Sequence, residues 1–120
     1  MSKVLYLDDT ADQRNLVEMV LNSIGLDVET GSDGEEGLLK VTQSPPDLIL
    51  LDLRMPKVNG FEFLKIIKAQ SDTQNIPVVV ISAWANKASQ NEVMGAGASD
   101  FLIKPYEIDD LIAIVQKYLQ

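Results

Sequence analysis

Neither cysteine nor histidine occurs anywhere in the chain. Without cysteine there is no disulfide, no thiol nucleophile and no thiolate-bound metal, and the composition is compatible with a reducing compartment. Without histidine the usual general base and the usual transition-metal ligand are missing, so any chemistry must come from carboxylates, hydroxyls, lysines and a hard cation. Positive charge is scarce as well: 10 Lys and Arg stand against 18 Asp and Glu, a formal net charge of −8. That balance argues against direct binding to nucleic acid or to an anionic membrane surface. No apolar run approaches the roughly 18 residues a membrane span needs, so no membrane insertion is expected. Met1-Ser2-Lys3 leads straight into a strand pattern with no signal-peptide core, and the chain reads as cytoplasmic. What is present is 46% hydrophobic content over 120 residues, enough for one packed core and too short for a second domain.

Apolar strands alternate with helical stretches along the whole chain. Val4 to Leu7 is a short apolar run that ends in Asp8-Asp9, after which Thr10 and Gln13 form a T-x-x-Q pattern expected to cap a helix. Leu16, Met19, Val20 and Ile24 recur there at helical spacing, and Gly25 stops the helix. Leu26 to Thr30 reads as a second strand, Ser32-Asp33-Gly34 opens a second helix toward Gln43, and Pro45-Pro46 ends it. The third strand is Asp47 to Asp52, followed by a loop with Pro56 and Gly60 and a helix carrying Phe61, Leu64 and Ile67. Pro77 to Ser82 is the fourth strand, a weakly amphipathic helix covers Asn86 to Ala96, Ser99 to Ile103 is the fifth strand, and a last helix carries Leu111, Ile112, Val115, Tyr118 and Leu119. Strands apolar on both faces, each followed by a helix, predict an α/β fold: a parallel sheet with helices on both sides, joined by right-handed crossovers.

Such sheets bind ligands beyond the carboxyl ends of their strands. Five reactive groups fall there: Asp8 and Asp9 after strand one, Asp52 at the end of strand three, Ser82 at the end of strand four and Lys104 after strand five. Taken singly, each is as well explained as a cap or a solvated loop charge. Together they mark one site. Converging carboxylates repel one another unless a cation neutralises them, and all-oxygen ligands select a hard ion, with magnesium the natural choice. Asp52 is then left to act as a nucleophile on phosphorus, with magnesium and Lys104 supplying positive charge and the Ser82 hydroxyl donating to the attached phosphoryl group.

The segments that carry these groups, "LDD", "LLDLRMPKVNG", "VVVISAWA" and "GASDFLIKPY", together resemble a bacterial two-component response-regulator receiver domain, and the resemblance extends over residues 1–120. It implies a doubly wound, flavodoxin-like (βα)5 sandwich with strand order 2-1-3-4-5. By that resemblance Asp52 takes a phosphoryl group from a histidine kinase or a histidine phosphotransfer protein. Magnesium, or manganese in its place, is held by Asp9, Asp52, the Arg54 backbone carbonyl and, through water, Asp8. Lys104 contacts the phosphoryl group, Lys104-Pro105 is a cis peptide, and Ser82 with Phe101 forms a switch pair that reshapes the face of helix four, strand five and helix five for an output partner. By pattern alone Phe101 is an ordinary core aromatic.

Arg54 and Trp84 each stand two residues past a site residue, where they flank the path of water to phosphorus, and are expected to tune the lifetime of the phosphate. Two rival classes share the topology or the chemistry. Phosphatases resembling the haloacid dehalogenases place an aspartate two residues after the nucleophile, where this chain has Arg54. A flavin-binding module needs a phosphate-cradling loop after strand one, where Asp8-Asp9 would repel a phosphate.

Overall fold

The computed structural model describes residues 2–53, 59–83 and 87–119, with 87–89 through their backbone alone. The sequence expectations on Arg54, Met55-Pro56 and Trp84 lie outside the described residues. Among those described, strands and helices alternate strictly: β1 Lys3–Leu7, α1 Ala11–Ser23, β2 Asp27–Gly31, α2 Gly34–Gln43, β3 Leu48–Asp52, α3 Gly60–Ala69, β4 Val78–Ser82, α4 Lys87–Gly95, β5 Asp100–Ile103 and α5 Ile108–Leu119. The strands form one sheet in the order β2-β1-β3-β4-β5, all pairs parallel. This is the doubly wound order anticipated above.

Each central strand is apolar apart from one terminal residue because both of its faces are covered. Leu5, Leu7, Ile49, Leu51, Val78 and Val80 pack against α2, α3 and α4 through Val41, Phe63, Leu64, Ile67 and Val93. Val4, Tyr6, Leu48, Leu50, Val79 and Ile81 pack on the opposite face against α1 and α5 through Val17, Leu21, Leu111 and Val115. Fully burying one such aliphatic side chain stabilises the fold by about 1.5–3 kcal/mol.

Two local expectations are corrected. The buried face of α1 is Val17 and Leu21, with Val20 partly covered, whereas Leu16 is 37% and Met19 is 64% exposed. The helix carries two adjacent apolar stripes of nearly the same period, and only the one that meets Val4, Tyr6 and α5 is covered. The second correction is at its start. Thr10 is the N-cap residue but its side chain makes no capping bond; its hydroxyl donates to Asp9 Oδ1 at 3.3 Å instead. Asp8 organises this entry, accepting the Thr10 N–H on Oδ1 at 2.9 Å. Reciprocal capping does occur at α2, where Asp33 Oδ1 accepts the Glu36 N–H at 2.8 Å and Glu36 Oε1 accepts the Ser32 N–H at 2.7 Å. At the other end of α1, Gly25 adopts φ +90°, the left-handed conformation that lets the chain turn back into β2.

Candidate functional site

The carboxyl ends of β1, β3, β4 and β5 lie side by side, so the residues that end those strands meet. Register places Asp52 opposite Ile81 and Ser82 opposite Ile103, and Asp8 follows directly on β1. Side chains alternate along a strand, so Tyr6 and Asp8 point to one face, as do Leu50 and Asp52. Tyr6 and Leu50 belong to the core under α1 and α5, which directs both aspartates to that side of the sheet tip.

Asp8 is fully buried and Asp52 is 5% exposed, while Asp9 between them and the solvent is exposed. One oxygen from each of the three carboxylates lies within 4.8 Å of the others. Lys104 Nζ bridges the buried pair, 3.2 Å from Asp52 Oδ2 and 3.4 Å from Asp8 Oδ2. Burial works against the Lys104 ammonium, but the charges of Asp52 and Asp8 outweigh it and hold its pKa above the usual 10.5. Ser82 is buried beside this group, and its carbonyl accepts the Lys104 N–H at 2.9 Å, which fixes the end of β5 to the end of β4. The Lys104-Pro105 bond that follows is cis. Phe101 is half-buried against the core under α2 to α4, opposite Val80 and therefore on the same face as Ser82, one step along the sheet.

Three contributors escaped the sequence reading. Tyr6 donates its hydroxyl to Asp8 Oδ2 at 2.6 Å; its position two residues before Asp8 on the same strand face was the available signal. Arg14 Nη1 donates to the Asp8 carbonyl at 2.7 Å, a contact of a loop with the helix one turn on that spacing alone does not announce. Gly60 opens α3 so close to β3 that a Cβ there would stand 2.5 Å from the Asp52 carbonyl oxygen and 2.5 Å from Leu53 Cα. Its N–H donates to the Leu53 carbonyl at 3.1 Å. Only glycine admits that approach, and the loop leaving Asp52 depends on it.

The cluster suits a hard cation on its chemistry: three oxygen donors converge and one ammonium does not balance three carboxylates. Among the described residues, an acidic cleft at the tips of a doubly wound sheet, shared by the lysine that follows β5, is the arrangement of a phosphate-signalling receiver rather than of a nucleotide-binding module. Comparison with known proteins gives the same class. Residues 4–116 match the response regulator receiver domain family, and the chain belongs to it. Among characterised relatives, the DNA-binding dual master transcriptional regulator RpaA of Synechocystis is 33% identical over 100% of this chain and 50% of its own length. The response regulator ArlR of Staphylococcus saprophyticus is 32% identical over 100% of this chain and 53% of its own. The chain thus spans about half the length of the curated relatives it matches. Among solved structures, the chemotaxis response regulator CheY4 of Vibrio cholerae superposes with a TM-score of 0.94 at 34% identity, covering 99% of both chains. The receiver domain of sensor histidine kinase PA1611 from Pseudomonas aeruginosa, which holds a magnesium ion in its active site cleft, superposes with a TM-score of 0.89 at 26% identity, covering 98% of this chain and 96% of its own. No helix of the described residues is long and apolar enough to cross a membrane.

Proposed function

We propose that residues 1–120 act in the cytoplasm as a single receiver whose Asp52 takes a phosphoryl group from a histidine kinase or histidine phosphotransfer protein. The observation that carries this reading is the convergence of Asp8, Asp9 and Asp52 to within 4.8 Å, with Lys104 Nζ 3.2 Å from the Asp52 carboxylate. An Asp52 oxygen attacks phosphorus, the bond from phosphorus to the donor imidazole nitrogen breaks, and that nitrogen keeps the electron pair and is reprotonated from solvent. Magnesium, with manganese as a substitute, would neutralise the incoming phosphoryl oxygens; Asp9, Asp52 and the Arg54 carbonyl would hold it, with Asp8 reaching it through water. Lys104, already aligned on Asp52, pairs with a phosphoryl oxygen as the acyl phosphate forms, and the Ser82 hydroxyl donates to another. No further substrate is turned over; the only chemistry is arrival and loss of this phosphate. The output partner is read from the face of α4, β5 and α5, where Phe101 turns toward the space Ser82 vacates.

Incubation with acetyl phosphate and magnesium, followed by intact mass and peptide mapping, tests site, metal and class together. One base-labile phosphate on Asp52 is expected, lost in Asp52→Asn with the fold retained, slowed in Asp9→Ala and absent in excess chelator. Phosphate on Ser82 or Asp9 in the parent, or labelling that ignores the chelator, overturns the assignment.

A further inference from the structure

We infer that Tyr6 is a positioning residue for the cation site: from inside the sheet, its hydroxyl holds the Asp8 carboxylate in the orientation from which Asp8 serves magnesium. The inference deepens the reading above and rests on it. Tyr6 is fully buried in the middle of an otherwise apolar strand, a position where an aliphatic side chain would fill space without a polar atom. A buried hydroxyl without a partner destabilises the fold, so its partner matters. That partner is Asp8 Oδ2, at 2.6 Å. The phenol is thus the donor and the carboxylate oxygen the acceptor of this buried bond.

The remaining contacts of Asp8 show what this bond adds. Oδ1 accepts the Thr10 N–H at 2.9 Å, Oδ2 also faces Lys104 Nζ at 3.4 Å, and the Asp8 carbonyl accepts from Arg14 at 2.7 Å. Thr10 and Arg14 belong to the loop and helix after Asp8, and Lys104 has its own task at Asp52. Among the bonds described, only that from Tyr6 reaches Asp8 from the interior of the sheet, where strand register sets Tyr6 between Leu50 and Thr30. Loss of that bond leaves a fully buried carboxylate held only by Thr10 and Lys104, and drawn more strongly to Lys104. Carboxylates that serve a metal are themselves held by hydrogen bonds, and removing such a partner typically weakens the metal about 10- to 100-fold. A second buried hydroxyl supplies the control. The Tyr106 hydroxyl is buried beside Tyr6 and makes no hydrogen bond to Asp8 among the bonds described.

The test is calorimetric titration of magnesium into the parent, Tyr6→Phe, Tyr106→Phe, Asp8→Asn and the Tyr6→Phe/Asp8→Asn double variant, with circular dichroism verifying each fold. Tyr6→Phe should bind magnesium about tenfold more weakly, a difference of about 1.4 kcal/mol, while Tyr106→Phe matches the parent. In the Asp8→Asn background Tyr6→Phe should add little, because Tyr6 acts through Asp8. Affinity of Tyr6→Phe within twofold of the parent, or tighter, overturns the inference alone, as does an undiminished effect in the Asp8→Asn background. A parent that takes up no magnesium overturns the cation reading together with the inference.

Discussion

Asp8 and Asp52 are buried while Asp9 beside them faces solvent, and this division of exposure decides what each carboxylate can do. A buried carboxylate is tolerable only with partners, and Lys104 serves two of them at once. Asp8 has both oxygens committed to donors, Thr10 on one and Tyr6 with Lys104 on the other. From side-chain chemistry alone, Arg54 and Trp84 are expected to tune the lifetime of the phosphate on Asp52. Hydrolysis requires a water held in line with the oxygen–phosphorus bond, which a carboxylate or amide orients by accepting its hydrogen. Arginine has donors only and can pair with phosphoryl oxygens, and an indole can cover the approach. A long-lived phosphate is therefore expected. Following phosphate loss in the parent and in Arg54→Asn combined with Trp84→Glu should show acceleration on the order of tenfold, about 1.4 kcal/mol in barrier. Loss at the parent's rate or slower would sink the idea.

The elements place these residues, and two of their ends invite measurement. Gly60 lets α3 begin against the backbone of Asp52 and Leu53, where even a methyl group would collide with backbone atoms rather than a yielding side chain. Gly60→Ala should destabilise the fold by about 1–3 kcal/mol, the usual range for overpacking, and should slow labelling of Asp52; chemical denaturation with parallel phosphorylation checks both, and a variant of parental stability refutes the contact. At α2, hydrogen bonds from the Ser32 backbone N–H, opposed by partial burial and reinforced by the Ser32 hydroxyl and Lys40, lower the Glu36 pKa below its ordinary 4.5. A carboxyl lowered in the folded state contributes stability that is present above the unfolded value and lost as pH falls through the folded one. Glu36→Gln should thus cost about 1 kcal/mol at neutral pH and lose less than the parent on acidification below about pH 4.5; equal pH profiles would remove Glu36 from the cap. At this scale the sequence was legible wherever two signals agreed. Apolar runs closed by polar tips located β1, β3 and β4, because a strand covered on both faces is apolar on both. The face of α1 was illegible because Leu16 and Met19 continue the same period as Val17 and Leu21, and only packing against the sheet separates them. The Thr10 cap misled for a related reason: a capping pattern states what a hydroxyl can do, and Asp9 beside it offers a competing acceptor. The tips of the strands named Asp8, Asp52, Ser82 and Lys104, but Tyr6 and Gly60 act through contacts across the fold that spacing does not encode.

For the whole molecule, the question is how an event at Asp52 reaches a distant face. β5 is tied at both ends: the Ser82 carbonyl accepts the Lys104 N–H at 2.9 Å, and at the start of the strand Asp100 accepts the Tyr118 hydroxyl at 2.9 Å and faces Lys117 at 3.3 Å. Its residues between those ties are only partly covered, Ile103 being 39% exposed, so this edge strand has less packing to resist displacement than β1, β3 or β4. α4 beside it buries Val93, while Met94 is exposed and Gly95 meets nothing within 4 Å of where a Cβ would stand. A phosphoryl group on Asp52 that draws in Lys104 and Ser82 would therefore pull on a thinly covered edge of the sheet, and Phe101, on the Ser82 face, is expected to follow into the vacated space. Amide exchange of the phosphorylated or beryllofluoride-bound protein should change protection over residues 87–106 as well as near Asp52, with β1 and β2 unaltered. The Ser82→Ala variant should still accept phosphate yet lose the distant change, because the hydroxyl is the link between phosphate and β5. Protection altered only around Asp52, or a Ser82→Ala variant that retains the full distant response, would show that the coupling runs elsewhere.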